Sequence, residues 1–490
     1  MLSTSRKATE LLNSKIRSGR RGPVVPKVLA VLGTAVAALG CGASAEPELP
    51  PNIVLIISDD HGWTDYGFMG SPDVRTPALD RLASQSMVYT RGYVPAPLCR
   101  PSLATIATGL YPHQHGITGN DPPAVRPRSS RDPASRAAME AVFARNDNIA
   151  ELLGRSGYAS HQSGKWWEGN PLDHGFTAAM THGDVTRRGR HGDVGLVIGR
   201  EGMDPIFEFI ESTRGSGAGG PESETPGDRA AEPAAAQPFF VWYAPFLPHT
   251  PHNPPERLLA RYRQPGRDGA VAGYLAMVAW LDETVGQLCD YLDDNGLSEN
   301  TIVLYVADNG WLQSDEQTEQ WTMRGKMSPY DSGVRSPIMI RWPGRVAPGR
   351  DDRTLASSID FVPTILQAVG IDPRADLPGI DLLDRPALAE RDRIFLEEFA
   401  HTSVDLERPV ANLKYRSVVQ EDGWKLILPY NVNKEVTLTN RNTVPPWFSA
   451  DPELYQVLED PHETRNLATE RQDLVEELHA SLQEWWPVPE

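Results

Sequence analysis

Two short polar pairs carry the first chemical signal in this sequence. Asp59-Asp60 follows the apolar run Ile53 to Ile57, and Asp308-Asn309 follows the run Ile302 to Ala307. Either pair alone reads as a solvated turn. Two such pairs, each at the end of a buried strand, supply hard oxygen donors that suit Ca²⁺, or the equally hard Mg²⁺, better than zinc, and His-rich zinc spacing is absent. Cys99 is the second signal. It opens Cys99-Arg100-Pro101-Ser102 ahead of Leu103 to Thr108 and Gly109, a short helix whose amino end would put the thiol on the positive pole of the dipole. A cysteine so placed is a candidate nucleophile, against the blander reading of a buried thiol.

These residues need a scaffold that brings distant strand ends together. Runs of the Ile53 to Ile57 kind recur at Phe239 to Tyr243 and Ile338 to Trp342. Helical patterns lie between them: Thr76-Pro77 leading Leu79, Leu82 and Met87, and Tyr274, Val278, Leu281, Val285, Leu288 and Leu292 at three- and four-residue steps, a stripe that Cys289 joins as a small core residue. Alternating strand and helix predicts an α/β fold with a large, mainly parallel sheet, in which ligands sit at the carboxyl ends of the strands. After the helix Phe361 to Val369 the pattern changes to short strands at Ile394 to Glu397, Arg416 to Val419 and Trp424 to Leu428, with a last helix near Leu474 to Leu482. This predicts a smaller C-terminal unit with an antiparallel sheet. The expected organisation is a leader over 1–45, a catalytic domain over 50–375 and a C-terminal subdomain over 376–490. Residues 212–237, rich in Gly, Ala, Pro and Glu, read as a disordered insertion, and Asp121 to Ser135 as a second irregular stretch.

Composition narrows the partners. With 490 residues, 40% hydrophobic and 23% charged, the chain is no coiled coil, collagen or disordered tail. A net charge of −18 excludes a nucleic-acid binder by bulk charge. An anionic substrate would have to be held by a metal or a local cluster of cations acting against the overall field. The N-terminus is basic up to Arg20-Arg21 and Lys27, then apolar from Val28 to Cys41, then Ala43-Ser44-Ala45. That order predicts an export signal, too short to span a membrane, and hence a periplasmic or secreted protein without a transmembrane span once the signal is removed. Arg20-Arg21 leaves twin-arginine export open, and Leu39-Gly40-Cys41 resembles a lipoprotein box. Three cysteines do not make a disulfide scaffold.

From Pro51 to the C-terminus the chain resembles a type I sulfatase of the alkaline-phosphatase superfamily. The residues that carry the resemblance are Pro51-Asn52-Ile53-Val54 through Ser58-Asp59-Asp60, Thr76-Pro77-Ala78-Leu79-Asp80-Arg81-Leu82-Ala83, Cys99-Arg100-Pro101-Ser102 with Thr108-Gly109, Gly164-Lys165-Trp166, Pro248-His249-Thr250-Pro251, Ser357-Ser358-Ile359-Asp360 with Pro363-Thr364, and Glu453-Leu454-Tyr455 with Asp460-Pro461. The resemblance implies hydrolysis of a sulfate ester, with Cys99 oxidised to formylglycine by a formylglycine-generating enzyme. It implies Asp59, Asp60, Asp308, Asn309 and the modified Cys99 as calcium ligands, Lys165 and Lys326 as sulfate-binding lysines, and His249 as the group on the leaving oxygen. The export signal and the tryptophans near the motifs (Trp63, Trp166, Trp167, Trp311, Trp321) suggest a sulfated carbohydrate, with the rings stacking on sugars.

Two positions depart from the family pattern. Leu103 stands where the maturation signal Cys-X-Pro-Ser-Arg has arginine, and Trp167 stands where Gly-Lys-Trp-His has histidine. His113, His115, His161 and His182 are the candidates to replace that imidazole. Two alternatives stay open: the departures allow a degenerate member that binds a sulfated glycan without turnover, and the same metal, lysines and nucleophile would also serve a phosphodiester or phosphonate hydrolase, which could use the unmodified Cys99 thiolate. The loop from Thr181 to Gly202, with His182, Arg187, Arg188, Arg190 and His191, is basic enough to suit a polyanionic substrate.

Overall fold

A computed structural model describes residues 50–123, 132–215, 236–314, 317–320, 322–430 and 449–489. The leader over 1–45, Cys41, Trp321 and most of the 212–237 stretch lie outside the described residues. Described residues from 50 onward belong to one compact unit.

The chain begins with β1 (Asn52–Ser58), every residue of which is buried. Such a continuous apolar strand belongs in the middle of a sheet covered on both faces. β1 lies between two parallel neighbours in an eight-stranded sheet. The other strands are β2 (Met87–Tyr93), β3 (Ala159–Gly164), β4 (Ala178–Ala179), β5 (Phe239–Ala244), β6 (Thr301–Ala307), β7 (Ile338–Arg341) and β8 (Gly349–Ser357). Their spatial order is β4-β3-β5-β1-β6-β7-β2-β8. Pairing is parallel except where β7 meets β6 and β2, so the sheet is mixed and mainly parallel, in agreement with the expected class. Polar β3 and charged β8 have no apolar run to betray them, which is why they escape a reading by hydropathy. Met87, expected on the helix after Thr76, instead starts β2, because the helix α1 (Pro77–Ser84) ends three residues earlier.

The two faces of β1 divide the core. Ile53, Leu55 and Ile57 pack with the helix α2 (Cys99–Thr108) and with the helix Phe361–Ala368. Val54 and Ile56 pack with α1 and the long helix Ala270–Asp294, where Leu281, Val285, Leu288, Cys289 and Leu292 form the expected stripe. This alternation is the period-two rule of a strand applied to a sheet with helices on both sides. A second sheet, β9 (Arg393–Phe399), β10 (Leu413–Gln420), β11 (Trp424–Pro429) and β12 (Glu453–Gln456), is antiparallel in the order β12-β11-β10-β9. The helix Gln472–Trp485 covers it through Leu478 and Leu482 on Val418, Leu426 and Leu454.

Two irregular stretches are shorter than expected. The helix Asp204–Thr213 includes Ser212 and Thr213, with Ile206, Phe209 and Ile210 anchoring it in the core. The helix Pro133–Phe143 starts before Ser135, capped by the Asp132 side chain, which accepts from the Ser135 N–H.

Candidate active site

Parallel neighbours end at the same level, and β1 pairs with β6 in register from Asn52↔Thr301 to Ser58↔Ala307. That register places Asp59-Asp60 beside Asp308-Asn309 at the carboxyl edge. The Asp308 carboxylate accepts from the Asp60 N–H at 3.1 Å and from the Asn309 N–H at 2.7 Å. The Asn309 amide donates to Asp60 Oδ1 at 2.8 Å. Asp60 holds a left-handed backbone (φ 61°), a conformation an Asp side chain tolerates better than most.

Three further elements close around this edge. α2 delivers Cys99 at its first residue, with Sγ 4.0 Å from Asp60 Oδ1. β3 ends at Gly164, whose φ of +85° turns the chain so that Lys165 points inward; Lys165 Nζ lies 2.6 Å from Asp59 Oδ1 and 3.5 Å from Asp308 Oδ2. A Cβ at Gly164 would sit 1.9 Å from the Ala244 carbonyl, so only glycine lets β3 approach β5 there. Lys326 Nζ is 2.5 Å from Asp60 Oδ1 and 3.0 Å from Cys99 Sγ. His249, between two cis peptide bonds at Leu247-Pro248 and Thr250-Pro251, brings Nε2 to 3.3 Å from Asp60 Oδ2. Asp59, Asp60, Cys99, Lys165, His249, Asp308, Asn309 and Lys326 are therefore in one cluster.

Electrostatics shape that cluster. Burial raises Asp59 above the usual carboxylate range and pushes Asp308 up to about 7, with Asp59 adding repulsion and Lys165 opposing both. Burial works against ionised Asp60 too, but Lys326 and Lys165 together hold it well below the usual range. The Cys99 thiol moves the other way from the helix-pole expectation: burial pushes it up to about 12 despite Lys165 and Lys326. Burial also lowers His249 to about 3, so its ring is neutral. Its Nδ1 is 2.6 Å from the Thr250 carbonyl and must carry the ring proton. Nε2 then faces Asp60 Oδ2 as one acceptor against another.

The donor set fits a hard cation. Asp59 Oδ2, Asp60 Oδ2 and Asn309 Oδ1 are buried oxygens without a hydrogen-bond partner. Asp59, Asp60, Cys99 and His249 can each turn one ligand atom into a volume under 4.8 Å across. Orphaned buried acceptors are costly unless a cation meets them, and oxygen-rich donors with two lysines as counter-charges leave that place to a metal of the calcium or magnesium kind.

The expectations for the departures fare differently. Leu103 is 5% exposed and packs in the core on the Cys99 face of α2. None of the proposed replacement imidazoles reaches the cluster. His113 pairs with Glu397, His115 meets Thr105 Oγ1, His161 stacks on Phe209 and His182 faces Asp193. The imidazole beside Trp167 is His191, with ring centroids 5.1 Å apart. Sequence reading placed it only in a basic loop, because its partner Trp167 lies 24 positions away. Tryptophan stacking on sugar is also corrected for three of the five rings, Trp321 lying outside the described residues. Trp166, Trp167 and Trp311 are buried, and Arg335 covers the Trp63 ring at 4.1 Å.

Comparison with known proteins gives the class this arrangement defines. The sulfatase family model matches residues 51–371, and a model for the C-terminal region of N-sulphoglucosamine sulphohydrolase matches residues 320–486. The chain belongs to the sulfatase family and is a sulfuric ester hydrolase. It is 30% identical over 369 residues to N-acetylgalactosamine-6-sulfatase from Canis lupus familiaris, covering 71% of this chain and 68% of the relative. It is 27% identical over 488 residues to an ulvan-active sulfatase from Formosa agariphila, covering 90% and 76%. A structure solved in complex with its substrate D-glucosamine-2-N,6-O-disulfate superposes with a TM-score of 0.61 at 19% identity, covering 89% of this chain and 97% of the other. Among the described residues no helix is long and apolar enough to cross a membrane.

Proposed function

We propose that this protein is an exported, calcium-dependent sulfatase that releases sulfate from a sulfated carbohydrate, with Cys99 matured to formylglycine. The observation that carries the reading is the set of buried, unpartnered oxygens of Asp59, Asp60 and Asn309 gathered round Cys99 beside two lysines. Asp59, Asp60, Asp308, Asn309 and the modified side chain at position 99 would hold the ion, which supplies polarisation of a sulfate oxygen. Position 99, once matured, would supply a nucleophilic hydroxyl and a second hydroxyl able to release the bound sulfate, which a plain serine ester lacks.

The remaining residues bind and move protons. Lys165 and Lys326 are the local cations that offset a net charge of −18 and hold the ester's sulfate oxygens as charge builds on them. His249 has its Nδ1 proton fixed on the Thr250 carbonyl, so Nε2 is the atom that exchanges a proton with the substrate. An anionic ester beside Nε2 favours protonation there, and Nε2–H can then protonate the departing alkoxide. The carbohydrate class is supported by the names of the relatives, which act on N-acetylgalactosamine-6-sulfate and ulvan. The basic, then apolar, then small-residue order of residues 1–45 supports export, and a formylglycine-generating enzyme is the implied maturation partner.

The test is mass spectrometry of the peptide spanning Cys99, on protein made beside a formylglycine-generating enzyme, paired with 4-nitrophenyl sulfate turnover before and after a chelator. The expected result is an aldehyde or its hydrate at position 99, and turnover that the chelator removes and calcium restores. An unmodified thiol in protein that still turns over would overturn the gem-diol chemistry, and chelator-resistant turnover would overturn the metal.

A further inference from the structure

The wall of the site next to Lys165 holds polar groups that the reaction above does not use. The loop at His191 is built onto the Lys165 turn. The Trp166 N–H donates to the His191 carbonyl at 3.2 Å, and a Cβ at Gly192 would lie 2.7 Å from the Gly164 carbonyl. The His191 ring sits between Trp167 at 5.1 Å and Phe246 at 5.5 Å. Phe246 is shared with the reaction centre, since His249 stacks on it at 4.1 Å and Lys165 Nζ lies 5.6 Å from its centroid. Trp167 Nε1 and His191 Nδ1 are both buried and neither has a hydrogen-bond partner. Two unsatisfied groups on adjoining rings, one of them an obligate donor, call for a ligand.

Beside them two guanidiniums share one aspartate. The Arg190 guanidinium lies 4.7 Å from the Trp167 ring centroid and bonds Asp121 through Nε and Nη2, at 3.1 and 2.7 Å to Oδ1. Arg136 approaches the same Asp121 carboxylate at 3.7 Å, so one negative charge faces two guanidiniums. Arg136 is 1% exposed and is spent on the carbonyls of Asn120 and Arg190. The Arg190 side chain keeps 28% of its surface exposed, and Nη1 makes no hydrogen bond among the described residues.

We propose that Arg190, with His191 and Trp167 Nε1 at its base, forms a subsite for a second anionic group of the substrate, a carboxylate or another sulfate carried next to the sulfate being cleaved. This rests on the sulfatase reading for the neighbouring pocket. A planar guanidinium locked on Asp121 and stacked on an indole offers its free edge with little entropy left to lose, which suits an oxyanion. Together with Lys165 and Lys326 it gives a local cationic track on an acidic protein.

The test is calorimetric binding of three probes to the full-length, calcium-loaded protein: galactosamine 6-sulfate with one anionic group, glucosamine N,6-disulfate with two sulfates, and a 6-sulfated chondroitin disaccharide with a sulfate and a uronate carboxylate. The wild type is expected to bind at least one of the doubly anionic probes more tightly than the single one, and which one identifies the group. Arg190→Ala is expected to lose about tenfold more affinity for that probe than for galactosamine 6-sulfate, the scale of one charge-assisted hydrogen bond. Arg190→Lys, which keeps the charge without the fork, should fall between them and stands in if the alanine variant does not fold. Equal losses for all probes, or no wild-type preference for a second anionic group, would overturn the subsite. Turnover of 4-nitrophenyl sulfate in the same preparations separates this result from failure of the sulfatase reading, because the binding measurement needs no turnover.

Discussion

Lys326 Nζ stands 3.0 Å from Cys99 Sγ, and the same ammonium reaches Asp60 Oδ1 at 2.5 Å. One side chain thus joins the position of the nucleophile to the position of the metal. Lys326→Met keeps the stem and removes the charge, so it should lower kcat/KM for an aryl sulfate by about 10²- to 10³-fold, the usual cost of losing one preorganised donor. Steady-state kinetics of matured protein measure it. A change under threefold would mean the lysine only balances charge in the resting protein.

Gly164→Ala should damage both fold and site. The residue is left-handed and its new methyl would meet the Ala244 carbonyl at 1.9 Å, so β3 would have to move away from β5 and carry Lys165 with it. A residue with a Cβ forced into this conformation costs about 1–2 kcal/mol before any clash is counted. The expected outcome is a variant with a lowered unfolding midpoint and kcat reduced at least tenfold in whatever folds. Thermal melting and 4-nitrophenyl sulfate kinetics on the same sample would check both parts.

These two residues also show what a sequence can and cannot disclose here. Asp59, Asp60, Asp308 and Asn309 were legible because each pair ends an apolar run, and the ends of adjacent parallel strands meet by geometry alone. Cys99 was legible for the same kind of reason, as the first residue of a helix. Lys165 and Lys326 could be found only through their resemblance to a family, since a lysine in a loop has no local signature. His191 and Arg190 were visible as loop charge but not as neighbours of Trp167, because that contact depends on how the loop 185–195 folds back over the Gly164 turn. β3, with the sequence Ala-Ser-His-Gln-Ser-Gly, hid for the opposite reason: a buried strand need not look apolar when side chains such as Gln162 and Ser163 find hydrogen bonds.

The role given to His249 predicts a dependence on the leaving group. If Nε2 protonates the departing oxygen, its loss matters most where the alcohol is a poor leaving group and little where a phenolate departs unaided. His249→Ala should therefore lose about 10²- to 10⁴-fold on a sugar sulfate and clearly less on 4-nitrophenyl sulfate. A series of aryl sulfates of rising phenol pKa would show the slope steepening in the variant. Equal losses across the series would assign His249 to substrate binding alone.

Glu398 on β9 offers a test of the fold away from the site. It is 3% exposed, neither carboxylate oxygen has a hydrogen bond, and its partner Lys414 Nζ on β10 stops at 3.9 Å. Burial, opposed by Lys414, pushes its carboxyl up to about 8. The sign follows from linkage: between the unfolded value near 4.5 and about 8 the folded state holds a proton that the unfolded chain has released, so this group withdraws stability as pH rises through that window. Glu398→Gln keeps the shape of the protonated acid and cannot ionise. Its unfolding midpoint in urea should match the wild type near pH 4.5 and exceed it near pH 8. Parallel wild-type and variant curves across that range would show that Glu398 is ionised in the fold and that Lys414 compensates its charge after all.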